Sequence, residues 1–205
     1  MRGPGVLIVI EGIDGAGKST QAKGLVRRLR ARGFAASYFC EPSRGRWGRE
    51  IKRQAKVAGS LTPEQELDLF LKDRRDNVER NLAPALRRGE VVVLDRYYFS
   101  TIAYQGAKGL DPGKIRRMNE KFAPRPDLVF VLDIGPDAGL ARITGRKIKD
   151  VLFERAGYLR KVRKIFRSFR GRAFVPIDAR RDRWAVAAEI LERSLRVLES
   201  RLVNQ

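Results

Sequence analysis

Short apolar runs rich in valine, isoleucine and leucine alternate along the chain with longer stretches in which apolar positions recur at helical spacing. Val6 to Ile10, Val91 to Leu94, Leu128 to Leu132 and Ala173 to Ile177 have the continuous apolar character of strands buried on both faces. Ala36 to Phe39 is a fifth candidate of weaker pattern. Helical patterns cover about Lys18 to Arg32, Gly48 to Ala58, Pro63 to Arg88, Pro112 to Phe122, Pro136 to Thr144, Tyr158 to Phe169 and Arg183 to Leu202. Gly33 and Gly89 stand where C-terminal helix caps belong, and Pro63, Pro112 and Pro136 where helices begin. The alternation predicts an α/β chain in three layers, a parallel sheet of about five strands with helices on both faces.

Size and composition narrow this picture. At 205 residues the chain fits one domain, 1–205, able to bury well over half of its unfolded surface without metals or disulfides. No apolar run approaches the roughly 18 residues of a membrane span. Met1 to Gly5 pass directly into the first strand-like run, leaving no room for a leader, so a cytoplasmic protein is expected. Cys40 is the single cysteine and histidine is absent, which excludes an intrachain disulfide, a cysteine metal cluster, His-ligated zinc and Ser-His-Asp catalysis.

The formal charge of +20 has two functional readings, a surface for nucleic acid or a cleft for the phosphates of a small ligand. The plain alternative is solvated charge on exposed helix faces, since basic residues run from Arg2 to Arg201 without forming a tail. The glycine-bounded segment from Gly145 to Gly157 carries Arg146, Lys147, Lys149 and Arg155 and reads as a short, mobile basic lid.

Gly12, Ile13, Asp14, Gly15, Ala16, Gly17, Lys18 and Ser19 satisfy G-x-x-x-x-G-K-[ST], directly after a strand and before a helix. In this P-loop, glycines let backbone N–H groups converge on phosphates at a helix N-terminus, and the Lys18 ammonium bridges the outer phosphates. Thr20 follows in the same ATP-binding turn. Ser19 offers a hydroxyl to Mg2+, and Asp95, at the end of the strand Val91 to Leu94, is the second candidate ligand at the carboxyl edge of the sheet. Arg96 has the planar fork that clamps a phosphate; a surface ion pair with Asp95 is the plain alternative.

The stretch Asp95, Arg96, Tyr97, Tyr98, Phe99, Ser100, Thr101, Ile102, Ala103, Tyr104, Gln105 resembles the thymidylate kinase pattern D-R-[YH]-x-x-S-x-x-A-[YF]-Q. Glu41-Pro42 is similar to the family's E-P element, Leu69, Phe70, Asp73 and Arg74 to its L-F-x-x-[DN]-R helix, and Arg125 through Asp133 to R-P-D-L-x-x-x-L-D. The resemblance implies a P-loop NTPase fold, ATP and Mg2+ as cofactors, dTMP as acceptor and a homodimer with Pro63 to Arg88 as candidate interface. It implies that Phe70 stacks on thymine, that Arg74 hydrogen-bonds the base, and that Ser100 and Gln105 complete the base pocket. Asp14 is expected to meet the 3′-hydroxyl, Tyr104 to fill the space of a 2′-hydroxyl, and Arg142 to stack on adenine. On pattern alone, Phe70 among leucines reads as core and Arg142 as a solvated helix residue.

Two departures bear on the phosphates. Many relatives carry arginine where Cys40 stands; Arg44 is the expected replacement, and Cys40 reads as a small strand residue. The second is the lid, shorter than in many relatives: some of these carry a P-loop arginine where Gly15 stands, so the task of meeting transition-state charge falls to the lid, to Arg146 and Arg155 first, with a solvated basic turn as the plain alternative. Three readings follow: a thymidylate kinase, a kinase for another monophosphate or a deoxynucleoside, and a P-loop ATPase stimulated by nucleic acid, for which no RNA- or DNA-binding motif speaks.

Overall fold

The computed structural model describes residues 5–57, 61–144 and 149–202, and the side chains of these except 144, 149–155 and 202. Strands β1 (Val6–Gly12), β2 (Ala36–Cys40), β3 (Val91–Asp95), β4 (Leu128–Asp133) and β5 (Phe174–Asp178) form one sheet in the order β2-β3-β1-β4-β5, every pair parallel. The five expected strands are all present, the weakly patterned second included. Parallel strands need crossovers, and these are helices α1 (Lys18–Arg30), α2 (Arg46–Gln54), α3 (Pro63–Asn77), α4 (Ala83–Arg87), α5 (Tyr98–Ala107), α6 (Pro112–Glu120), α7 (Pro136–Thr144) and α8 (Lys149–Phe166), with α9 (Arg183–Leu202) closing the chain.

From β1 the chain runs outward past β3 to β2, and from β3 it runs the opposite way past β1 to β4 and β5. Right-handed crossovers therefore put α1 on one face and α3, α5, α6 and α8 on the other. The packing agrees, with α1 against α9, and α5 against α3, α6 and α8. The sheet between the layers is the core; Ile8, Val9, Ile10, Val92, Val93, Leu94, Val129 and Phe130 are fully buried.

Local signals explain most boundaries. The α1 turn closes with Gly33 N–H on Arg30 and Phe34 N–H on Leu29, and Gly33 takes φ 84° at the left-handed cap position. Gly89, at φ 81°, does the same before β3. Thr62 and Gln65 form a reciprocal capping box ahead of Pro63.

Four departures concern the helices. α5 does not stand among the expected helices, because it is buried on most sides (Tyr98, Phe99, Thr101, Ile102, Ala103 and Gln105) and shows no polar stripe. α2 starts at Arg46 instead of Gly48. The single helix expected from Pro63 to Arg88 is interrupted by a π-helical turn, Val78–Leu82. Pro84, just beyond, lacks the N–H a continuous helix needs, and the widened turn absorbs the break. Finally, α8 begins at Lys149, nine residues before the expected Tyr158, so the second half of the segment read as a lid is helical.

Candidate active site

β1 and β3 deliver the chemistry to one edge of the sheet. After β1 the chain turns through Gly12, at φ 139°, and Gly15, at φ 81°. A Cβ on Gly15 would lie 2.0 Å from the carbonyl oxygen of Gly139 at the start of α7, so no other residue fits this approach. Gly17 caps α1 without a side chain, leaving the first N–H groups of the helix free for an anion. Lys18 is buried, with Nζ donating to the Ile13 carbonyl at 2.7 Å. Burial, and next the Arg96 charge, press its pKa down to about 7 against the pull of Asp14, Asp95 and Glu11.

Asp95 ends β3, and its carboxylate accepts from the Ser19 hydroxyl and, at 3.2 Å, from the Tyr38 hydroxyl. A hydroxyl beside one carboxylate is a hard oxygen pair of the kind Mg2+ takes when its other ligands are waters and phosphates.

Arg96 is the one non-glycine residue at positive φ among those described, at 68°. Such a backbone costs on the order of 1–3 kcal/mol and persists only where the surroundings impose it. Here they do: Arg96 N–H bonds the Ile10 carbonyl, its guanidinium pairs with Asp14 and donates to Ser100 Oγ at 3.2 Å, and the Tyr104 ring lies 5.3 Å away. Glu11 stands beneath this turn, fully buried, accepting from Tyr97 N–H at 2.8 Å, Ser100 N–H at 3.1 Å and Ser100 Oγ at 2.5 Å. Burial lifts its carboxyl to about 7 in spite of these bonds and Arg96.

The loop after β2 is held from α3. Asp73 accepts from Ser43 N–H at 2.7 Å and Ser43 Oγ at 2.5 Å. Arg74, 1% exposed, gives Nε and Nη2 to Glu41 at 2.8 and 2.6 Å, Nη2 also to Thr101 at 3.0 Å, and Nη1 to Asn119 at 2.6 Å. Asn77 adds a bond to Glu41 at 3.2 Å, and the Glu41-Pro42 peptide is cis. Burial raises the Glu41 pKa while Arg74 opposes the shift.

Between this loop, α2, α3 and α5 lies a cavity of about 440 Å³. Asp14, Glu41, Pro42, Phe70, Arg74, Arg96, Ser100, Tyr104 and Gln105 all line it. The P-loop and a partly aromatic pocket are thus joined at Asp14. Comparison with protein families matches the thymidylate kinase family over residues 10–190. The chain belongs to the thymidylate kinase family.

Its relatives agree along nearly its whole length. It is 44% identical over 195 residues to a probable thymidylate kinase of Archaeoglobus fulgidus, covering 95% of each chain. It is 47% identical over 186 residues to a thymidylate kinase of Akkermansia muciniphila, covering 91% of this chain and 89% of the relative. A thymidylate kinase of Xanthomonas campestris pv. campestris is 46% identical over 178 residues, covering 87% and 78% respectively.

The thymidylate kinase pattern places other expected residues less centrally. Arg142, on α7, reaches the Ala179 carbonyl at 3.0 Å and the Gly15 carbonyl at 3.5 Å, bridging the P-loop to the turn after β5. Thr20 is exposed on α1 beside Ser19. Arg44 is exposed and does not line the cavity, whereas Lys52 of α2 does, with Nζ 3.2 Å from the Ser43 carbonyl. Cys40 is half-buried, its thiol pushed up by burial and by Asp95, which disfavours a reactive thiolate. Arg146 lies outside the described residues, and Arg155 falls on α8 where side chains are not described. Asp133, from the family's R-P-D-L element, holds Arg163 through two bonds of 2.6 and 2.9 Å, a strut from β4 to α8.

Sequence reasoning missed Glu11, Lys52 and Glu66. Glu66 accepts from Gln105 Nε2 at 2.9 Å and pairs with Lys108, while Gln105 Oε1 is buried without a partner among the described residues. The adjacency of Asp73 and Arg74 to Phe70 was the one available hint that α3 fastens the loop as well as lining a pocket.

Proposed function

We propose that the protein transfers the γ-phosphate of ATP to dTMP, giving dTDP and ADP by direct in-line displacement without a covalent enzyme intermediate. The observation that carries this reading is that Asp14 belongs both to the P-loop and to the wall of the cavity whose other side presents Phe70, Arg74, Ser100 and Gln105. A donor phosphate at the loop and an acceptor in the cavity would meet beside Lys18 and Arg96. Phosphoryl transfer asks the protein chiefly for positioning and charge, and these groups supply both. Ser19 and Asp95 are the residues that would hold Mg2+, which would neutralise charge developing on the transferred group. Arg142 is our candidate for stacking on adenine, and Arg146 and Arg155 are the candidate cations for the transition state.

Within the cavity, Phe70 offers a flat face to thymine and Arg74 a buried donor on its hydrogen-bonding edge, while Tyr104 occupies the space of a 2′-hydroxyl. Family membership is also the ground for proposing a cytoplasmic homodimer with α3 at its interface, which sedimentation would test. Among the described residues no helix is long and apolar enough to cross a membrane.

The test is an acceptor screen with ATP and Mg2+, resolving products for dTMP, dUMP, dCMP, dGMP and thymidine. The expected outcome is dTDP and ADP in equal amounts, with dTMP the best acceptor. Preference for another monophosphate or for thymidine would move the chain to a different substrate. ATP hydrolysis stimulated by DNA or RNA, with no new nucleotide, would overturn the kinase reading.

A further inference from the structure

The bonds of Glu11 are unusual in what they join. Glu11 is the penultimate residue of β1, in register opposite Val131 of β4, and it has no exposure. A carboxylate that deep requires a purpose, because burying it costs free energy that only dense hydrogen bonding offsets. Its partners all belong to one short piece of chain, the β3–α5 turn. α5 has no capping side chain of its own at Tyr97. Glu11 supplies the cap from 89 residues away, taking the Tyr97 and Ser100 N–H groups on one oxygen and the Ser100 hydroxyl on the other.

Ser100 Oγ in turn accepts from Arg96 Nη1 at 3.2 Å, so a line of hydrogen bonds runs from Glu11 through Ser100 to the guanidinium. Arg96 itself sits in a left-handed backbone that an arginine does not adopt unaided. Besides Ser100, the charged and titratable groups acting on or near Glu11 are Arg96 of the turn, Lys18 of α1 and Tyr104 of α5.

We propose that Glu11 is a positioning residue for the phosphoryl acceptor: it fixes the Arg96 guanidinium and the Ser100 hydroxyl in the cavity by capping the β3–α5 turn from the strand that also carries the P-loop. This rests on the reading of the cavity as the acceptor site. The donor side depends on Glu11 much less, since the P-loop amides and Lys18 are held by the glycine turns, α1 and the Ile13 carbonyl.

Glu11→Gln keeps the shape and can still accept from the two N–H groups with its carbonyl oxygen, but it turns an amide NH2 toward Ser100 Oγ and removes the charge facing Arg96. The expected result is a fall of at least about tenfold in kcat/KM for dTMP, with the Kd for ATP, measured by equilibrium binding without acceptor, within about twofold of wild type. Glu11→Gln and Ser100→Ala act on one line of bonds, so the double variant should be no worse than about twofold below the worse single variant. A loss of less than about threefold in kcat/KM for dTMP overturns the proposal. So does a parallel weakening of ATP binding, which is the mark of general loosening and not of acceptor positioning. If Glu11→Gln does not fold, Glu11→Asp, which keeps the carboxyl but draws it back from the Tyr97 and Ser100 N–H groups, decides by the same comparison: acceptor-selective loss supports the proposal and its absence overturns it. Failure of wild-type enzyme to use dTMP would instead reject the acceptor assignment, a separate outcome.

Discussion

Arg74 was expected to serve the base, and its geometry assigns it a second duty with a measurable size. Its guanidinium is 1% exposed and ties four pieces of chain: Glu41 after β2, Thr101 on α5, Asn119 on α6 and its own α3. Removing one partner of a buried ion pair costs about 3–5 kcal/mol, because the other charge is left without compensation. Thr101 and Asn119 also lose their donor, at about 1 kcal/mol each. Arg74→Met, which keeps most of the volume, should therefore cost about 5–7 kcal/mol, a large share of the roughly 5–15 kcal/mol that holds a domain folded.

The assay is urea unfolding of ligand-free protein, with Glu41→Met and the double variant beside Arg74→Met. Each single change should lower the unfolding free energy by at least about 3 kcal/mol. The double variant should lose clearly less than the sum, with a coupling of at least about 2 kcal/mol, because removing both charges together leaves neither stranded. A loss below about 1 kcal/mol for Arg74→Met, or strict additivity, would show that Arg74 merely faces the ligand and that the bonds to Glu41, Asn119 and Thr101 contribute nothing.

Two further outcomes follow from the cations near the phosphates. Lys52 lines the cavity and Arg44 does not, so Lys52→Ala should raise KM for dTMP by about tenfold, the size of one charge-assisted hydrogen bond, while Arg44→Ala changes it by less than about twofold; steady-state kinetics giving the reverse order would return the contact to Arg44. Burial presses the Lys18 pKa down to about 7, and phosphates beside it should raise it again, so ATP binding at pH 8 should take up a proton that binding at pH 6 does not; calorimetry in buffers of different ionisation heat showing no uptake at pH 8 would contradict it.

The sequence was most legible where one local interaction decides the outcome. Continuous apolar runs located β1, β3 and β4, because residues buried on both faces of a parallel sheet leave no alternation to misread, while the half-buried edge strands β2 and β5 were marked by shorter or weaker runs. The P-loop was legible for the same reason, since Gly12 and Gly15 answer to backbone geometry alone. What escaped is held by partners distant in sequence. α5 looks like nothing in particular because its cap is Glu11, and Glu11 fell unnoticed between a strand read only to Ile10 and a motif starting at Gly12. Gly157 read as the edge of a lid, yet α8 passes through it, and apart from its own stretch of helix no described atom lies within 4 Å of where its Cβ would sit. A pocket at this place was suggested only by family resemblance: leucine-flanked Phe70 has the pattern of core, and its place on a cavity wall depends on where α2 and α5 pack.

The same contrast settles what the charge of +20 says about function. Three cations at the P-loop and the cavity are buried or half-buried, and each has a matched acceptor: Arg74 with Glu41, Arg96 with Asp14, Lys18 with the Ile13 carbonyl. Carboxylates in this chain thus act as scaffolding for cations, and a tally of acids against bases hides that arrangement. Many surface arginines pair with acids of their own helix or turn, among them Arg53 with Glu50, Arg80 with Asp76, Arg180 with Asp178 and Arg196 with Glu192. Exposed pairs of this kind contribute little and are easily exchanged in evolution. The surplus therefore carries little information about the ligand, whereas three buried or half-buried acids, Glu11, Glu41 and Asp14, carry a great deal: each stands against a guanidinium lining the cavity and limits where an anionic ligand can be met.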